Sequence, residues 1–333
     1  MNSSYNGQMK VFFNPDALLG LPAYGIQIPM TDGRILKIVE YLNQRNYPII
    51  SNYLSSFELS RHDLARVHSE DYLNQLFGTK EDIIKMVAST FELINSDGTY
   101  NRYTPKTASY SLEELVSKVL LQIKGTMASA REALISGESY YLGGGYHHAM
   151  SFGGRGFCML NDVVITARWL QHLGLARKIW IIDVDAHKGD GTAELTFGDD
   201  SIRTLSIHME KGWPLDSGTS QEPWFISSDV EIGIAAGEEN FYLKKLEEGL
   251  HSLKKLDQEY PDLAIVVQGS DPYEKDQLPS SGLLKLSKEE MLQRDLLVYN
   301  FLKERKISQT YVMAGGYGEF AYEVYCEFFS NIL

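Results

Sequence analysis

The sequence predicts an α/β fold: one mainly parallel central sheet with helices on both faces, in a single domain covering residues 1–333. Short apolar runs such as Leu263-Ala-Ile-Val-Val267 read as strands buried on both sides. They alternate with longer stretches whose apolar positions recur at helical spacing, the pattern of strand–helix–strand units. No linker, repeat or low-complexity tract divides the chain. Strand order does not follow from such a pattern.

Taken in order, residues 9–14 read as a first short strand, followed by a Gly/Pro-rich loop to about Pro29. Residues 34–42 and 62–76 have helical periodicity, and residues 95–110 are a polar loop. Ser111 with Glu114 forms a capping box that opens a long amphipathic helix to about Ile135. A strand at 139–142 runs into three glycines, Tyr146, His147 and His148, and a helix spans 161–173 with Asp162 near its start. Strands follow at 178–184, 203–207 and 230–234, then a helix at 238–256 and a strand at 263–267. A helix at 287–303, a strand at 309–313 and a helix at 319–332 close the chain.

Composition bounds the function. With 44% hydrophobic and 23% charged residues, the chain can bury a large core without staples. A net charge of −13 disfavours a general nucleic-acid surface. Two cysteines without paired spacing, Cys158 and Cys326, fit a reducing compartment. The first residues lack a basic segment followed by an apolar core, and no run approaches the ~20 apolar residues of a membrane span. The expectation is a cytoplasmic protein with no membrane partner.

The chemistry concentrates in residues 181–191, Ile-Ile-Asp-Val-Asp-Ala-His-Lys-Gly-Asp-Gly. Asp183, Asp185 and His187 alternate, so at a strand end they project to one side. One such Asp reads most simply as a helix cap. Three ionisable groups directly after a buried strand are costly to desolvate unless a cation neutralises them. Oxygen and imidazole ligands together suit zinc, with Asp271 as a further ligand from another strand end. His147 and His148 follow a Gly-rich turn, with Asp183 and Asp190 available to fix their tautomers. Tyr317, behind Gly315 and Gly316, is a weaker signal among 20 tyrosines. All four clusters fall at carboxyl ends of predicted strands, where open α/β sheets bind ligands.

Together these residues resemble the zinc-dependent histone deacetylase superfamily, which has the arginase/deacetylase fold and includes bacterial acetylpolyamine amidohydrolases and acetoin-utilisation proteins. The matching pieces are Gly143 to His148, Gly156 to Asp162, Asp183 to Gly191, Gly269 to Asp271, Gly315 to Tyr317, and the helix motif Arg66 to Tyr72. The Asp-Ala-His form is most similar to class IV enzymes and their bacterial cousins. The resemblance implies zinc on Asp185, His187 and Asp271. It makes His148, with Asp190, the general base and acid, and His147, with Asp183, an electrostatic and orienting partner. Tyr317 would donate to the amide oxygen and its oxyanion. It further implies a structural potassium near Asp183, Asp185, His187 and Ser206, and an acyl-lysine tunnel walled by Phe157 and Trp213 beside Gly156 and Leu278.

The implied activity is removal of acetyl or longer acyl groups from lysine side chains of a protein or peptide. Acetylpolyamine or another small N-acyl amine is the alternative substrate, and a non-catalytic acyl-lysine binder the remote one. Lys188 stands where many members have a second histidine, and Tyr103 or its neighbours take the place of a rim carboxylate. Leu278 replaces the acidic gatekeeper of polyamine-specific members. Arginase-type enzymes also resemble the Asp185-Ala-His187 motif, but they need further carboxylates for a second metal. Here Gly189, Gly269 and Tyr273 occupy those places, so one catalytic metal is expected.

Overall fold

A computed structural model describes residues 8–29, 32–216 and 221–333. Its strands are β1 (Lys10–Phe12), β2 (Ile49–Ile50), β3 (Glu138–Tyr141), β4 (Ile179–Asp183), β5 (Ile202–Met209), β6 (Val230–Ile234), β7 (Leu263–Val267) and β8 (Ser308–Val312). They form one eight-stranded sheet in the order β2-β1-β3-β8-β7-β4-β5-β6, and every pairing is parallel. The α/β class with a parallel sheet is therefore as the sequence predicts. The order adds what the pattern could not. β3, β8, β7 and β4, the strands that precede the polar clusters, are consecutive neighbours at the centre of the sheet.

The helices are α1 (Gly33–Gln44), α2 (Arg61–Ala65), α3 (Glu70–Leu76), α4 (Lys80–Thr90), α5 (Leu115–Ser136), α6 (Asp162–His172), α7 (Asp190–Thr196), α8 (Tyr242–Leu256), α9 (Lys288–Glu304) and α10 (Tyr322–Ile332). Successive strand residues point to opposite faces, and both faces are covered. Ile179, Ile181, Ile265 and Val267 join the core that contains α5 and α6. Trp180, Ile182, Ala264 and Val266 join the core that contains α8, α9 and α10. Among the described residues, no helix is long and apolar enough to cross a membrane.

Two local features differ from the expected elements. The helix expected over 62–76 is two helices, α2 and α3, separated at Ser69, whose side chain caps α3 by accepting from Tyr72 N. The break frees His68 to act as an internal tie. Its Nε2 accepts from Asn161 N at 3.1 Å, so Nδ1 carries the proton and donates to the Met150 carbonyl at 2.9 Å. Burial keeps this imidazole neutral by lowering its pKa to about 4. The second is α4, a helix with no counterpart among the expected elements. It opens on a capping box between Thr79 and Asp82, and buries Met86 and Val87.

α5 crosses β3 very closely. A Cβ on Gly125 would lie 2.1 Å from Cζ of Tyr141, a ring that is itself buried and packed edge-on against Tyr53. Gly125→Ala gains helix propensity but overpacks this contact, and a net loss of about 1–2 kcal/mol is expected. Urea denaturation measures it; an unchanged or higher midpoint would mean that the helix moves away from the sheet at no cost.

Candidate active site

Each cluster is presented by the loop that leaves a central strand. β4 ends at Asp183 and delivers Asp185 and His187; β7 leads to Asp271; β8 leads to Gly315 and Tyr317; β3 leads to His147 and His148. Backbone bonds lace these loops: Met313 N donates to Gly143 O, Ala314 N to Gly144 O and Ser270 N to Gly315 O. Two buried arginines also bind carbonyls of these loops. Arg294 donates to the carbonyls of Val184 and Gly269 while pairing with Asp295 at 2.7 Å. Arg34 donates to those of Ala314, Gly315 and Gly316. Neither was evident from sequence, because each acts across long chain separations on backbone atoms.

Asp185, His187 and Asp271 are all buried, and one donor atom from each lies within 4.8 Å of the others. His187 Nδ1 stands 2.9 Å from Asp271 Oδ2 and 3.3 Å from Asp185 Oδ1. Backbone donors complete the carboxylates: Gly315 N to Asp185 Oδ2 at 2.9 Å and Ala186 N to Asp271 Oδ1 at 3.0 Å. Burial and the charge of Asp185 raise the Asp271 carboxyl above its ordinary range. Burial alone would lower His187, but its bonds to Asp185 and Asp271 outweigh that and lift it to about 10. The cluster thus draws positive charge to its centre. Two carboxylates and an imidazole converging in a dry site fit a divalent cation of borderline softness.

The two adjacent histidines have matching partners. His147 Nδ1 meets Asp183 Oδ2 at 2.6 Å, and His148 Nδ1 meets Asp190 Oδ1 at 2.6 Å. A carboxylate only accepts, so each Nδ1 carries a proton. Their charge states nevertheless diverge. Burial opposes protonation of His147, yet Asp183 and Asp185 prevail and raise it to about 9. Burial and the neighbouring His147 lower His148 to about 3, against the pull of Asp190. His148 is therefore the neutral imidazole of the pair, with Nε2 able to accept a proton.

One cavity runs along these groups, lined by His147, His148, Gly156, Phe157, Asp185 and Tyr317 among others, and it continues to Arg34 and Tyr146. Phe157 and Tyr317 meet edge-on at 6.3 Å. Phe157 adopts a left-handed backbone, φ 67°, a strained state for a bulky residue of the kind found at functional sites. Trp213 stands edge-on to His148 at 4.6 Å and to His187 at 5.8 Å. A Cβ on Gly156 would come within 2.3 Å of the Trp213 ring. Tyr317 is buried, and burial together with Asp271 holds its hydroxyl far from ionisation, as a donor must be.

The fold brings the sequence-predicted residues together, with three at the margin: Trp213 contacts His148 and His187 but does not itself line the cavity. Leu278 is buried in the core that also contains Phe157 and Tyr317, but does not line the cavity. Ser206 is the β5 register partner of Asp183, and its Oγ lies 3.4 Å from Gly189 N. Lys188 is buried and paired with Glu231. Arg155 was not among the expected residues: it lies 3.2 Å from Asp190, with its guanidinium 5.1 Å from the Trp213 ring and 4.4 Å from that of Trp224. Its one sequence signal was a lone cation among Gly153, Gly154 and Gly156.

Comparison with known proteins agrees with this architecture. In solved structures, acetylpolyamine aminohydrolase from Burkholderia pseudomallei superposes with a TM-score of 0.72 over 98% of both chains at 18% identity, a likeness of fold. Histone deacetylase 2 of Arabidopsis thaliana is 30% identical over 276 residues, 83% of this chain and 66% of that protein. Acetoin utilization protein AcuC of Bacillus subtilis is 29% identical over 198 residues, 58% of this chain and 47% of that one. The alignments thus span two thirds or less of these curated relatives. The family model for the histone deacetylase domain matches residues 28–331, and the chain belongs to that family.

Proposed function

We propose that the chain is a zinc-dependent hydrolase that removes acetyl or longer acyl groups from lysine side chains, acting as one catalytic unit in the cytoplasm. The observation that carries this is the convergence of the Asp185–His187–Asp271 cluster with two His–Asp pairs, and a cavity beside them that Asp185, His147, His148 and Tyr317 line. A divalent ion held by Asp185, His187 and Asp271 would supply Lewis acidity toward an amide carbonyl and its attacking water. His148, neutral and tethered by Asp190, takes the proton from that water at Nε2 and returns it to the leaving amine as the C–N bond breaks. His147, held by Asp183 at 2.6 Å, gives orientation and electrostatic support to the developing negative charge. Tyr317 donates its phenolic hydrogen to the oxyanion. Phe157 and Trp213 flank the acyl-amine as apolar walls.

Lysine is favoured over a polyamine because the place of the acidic gatekeeper is taken by Leu278, which offers no counter-charge to a second amine. A mononuclear centre is supported by crowding. A Cβ at Gly189 would lie 2.3 Å from an Asp183 oxygen, and one at Gly269 lies 2.2 Å from an Asp185 oxygen, leaving no room for further carboxylates. The reading includes a structural potassium near Asp183, Asp185, His187 and Ser206.

Acetyl-lysine peptide, long-chain acyl-lysine peptide and acetylpolyamine, assayed side by side, test the reading; turnover of an acyl-lysine is expected, and none on any with metal bound defeats it. Tyr317→Phe should keep its metal while kcat falls by about 10²–10³; full activity would remove Tyr317 from the chemistry. Elemental analysis should give one divalent ion per chain and its loss in Asp271→Asn. Two ions would refute the mononuclear site. Thermal midpoints in potassium against choline salts check the second ion, with higher stability expected in potassium.

A further inference from the structure

His148 sits in a closed ring of four contacts that His147 does not share. His148 Nδ1 meets Asp190 Oδ1 at 2.6 Å; Asp190 Oδ2 faces Arg155 Nη1 at 3.2 Å; Arg155 packs on Trp213 at 5.1 Å; and Trp213 returns to His148 at 4.6 Å. Trp224 covers Arg155 at 4.4 Å from the indole. The Arg155–Asp190 contact is an ion pair rather than a directed hydrogen bond, since neither facing atom has a hydrogen-bond partner. Asp190 is fully buried and the Arg155 side chain is 20% exposed, so the attraction is little screened. The other dyad is built differently: Asp183 uses its second oxygen to accept from Asp185 N, and its support comes from the loop backbone.

We propose that Arg155 is a positioning residue for proton transfer, holding Asp190 and Trp213 in register so that His148 faces the scissile amide. Besides the His147 ring at 3.9 Å, the His148 ring is held by a carboxylate at Nδ1 and by the Trp213 indole, and Arg155 contacts both of these. The planar guanidinium suits this task, because it stacks on indoles while its edge meets a carboxylate. Backbone bonds between Arg155 and Cys158, in both directions, fix the base of the side chain beside Gly156. The tunnel wall and the proton-transfer pair are thereby one mechanical unit. An acyl chain pressing on Trp213 bears on the orientation of His148 through Arg155 as well as by direct contact.

The inference rests on the hydrolase reading, so its test has an arm independent of turnover. Proton NMR of the metal-loaded protein should show a downfield, slowly exchanging His148 Nδ1 proton, assigned by its loss in His148→Ala. Arg155→Met should shift or broaden that signal, and Arg155→Lys should retain it in part. An unchanged signal in Arg155→Met overturns the proposal whether or not any substrate is hydrolysed. In kinetics, Arg155→Met should lower kcat by roughly 10–100-fold, the usual effect of losing an outer support, with KM and metal content little changed. Combined with Asp190→Asn it should add no more than about twofold to the loss caused by Asp190→Asn alone. A rise in KM alone, loss of metal, or fully multiplicative effects would each overturn the positioning role. A wild-type protein that turns over no acyl amide defeats the hydrolase reading, and the NMR arm still decides whether Arg155 holds His148.

Discussion

Four carboxylates, Asp183, Asp185, Asp190 and Asp271, are buried together at the carboxyl edge of one parallel sheet, and the surroundings are arranged around that cost. A desolvated carboxylate needs a counter-charge or several donors. Asp183 has His147 and a backbone N–H; Asp190 has His148 and Arg155. Asp185 and Asp271 share one imidazole and three backbone donors. Three of the four are therefore tied to a histidine within 3 Å, and the pair with the least compensation is the pair suited to a cation.

Neighbouring order makes this crowding achievable. Because β3, β8, β7 and β4 are adjacent, their loops leave the sheet side by side and can exchange backbone hydrogen bonds. Arg294 and Arg34 then anchor carbonyls of those loops. Small residues are required where the loops converge. A methyl group at Gly315 would sit 2.5 Å from an Asp185 oxygen and 2.7 Å from one of Asp271. The glycines that look like flexible punctuation in the sequence are places where side-chain oxygens pass close to backbone.

What the sequence discloses follows the range of the interactions. The fold class was legible because burial on two faces leaves continuous apolar runs, as in β7 and β4. The metal cluster was legible because Asp185 and His187 lie two residues apart and the motif surrounding them is dense. Strand order was not, since crossovers of any length can join parallel neighbours. The division between α2 and α3 escaped because His68 has the spacing of a core position while its ring is used to tie Met150 to Asn161. Arg155 escaped for the same reason as Arg34 and Arg294: its partners are distant in the chain, and nothing local marks a cation that will lie against two indoles.

The two His–Asp pairs show why residue identity alone does not assign a role. Both have a 2.6 Å contact, both are buried, and they are adjacent in sequence. They differ in what stands behind them. His147 lies within 3.8 Å of Asp185 as well as against Asp183, so it faces two negative groups and keeps its proton. His148 faces the charged His147, and its own Asp190 is shared with Arg155. Adjacent charged imidazoles with ring centroids 3.9 Å apart repel strongly in a dry site. One proton therefore settles where the negative field is greater, on His147. The asymmetry leaves the second imidazole free to act as a base, and it follows from the placement of Asp183 and Asp185 around His147, with burial and the charge of His147 acting on His148.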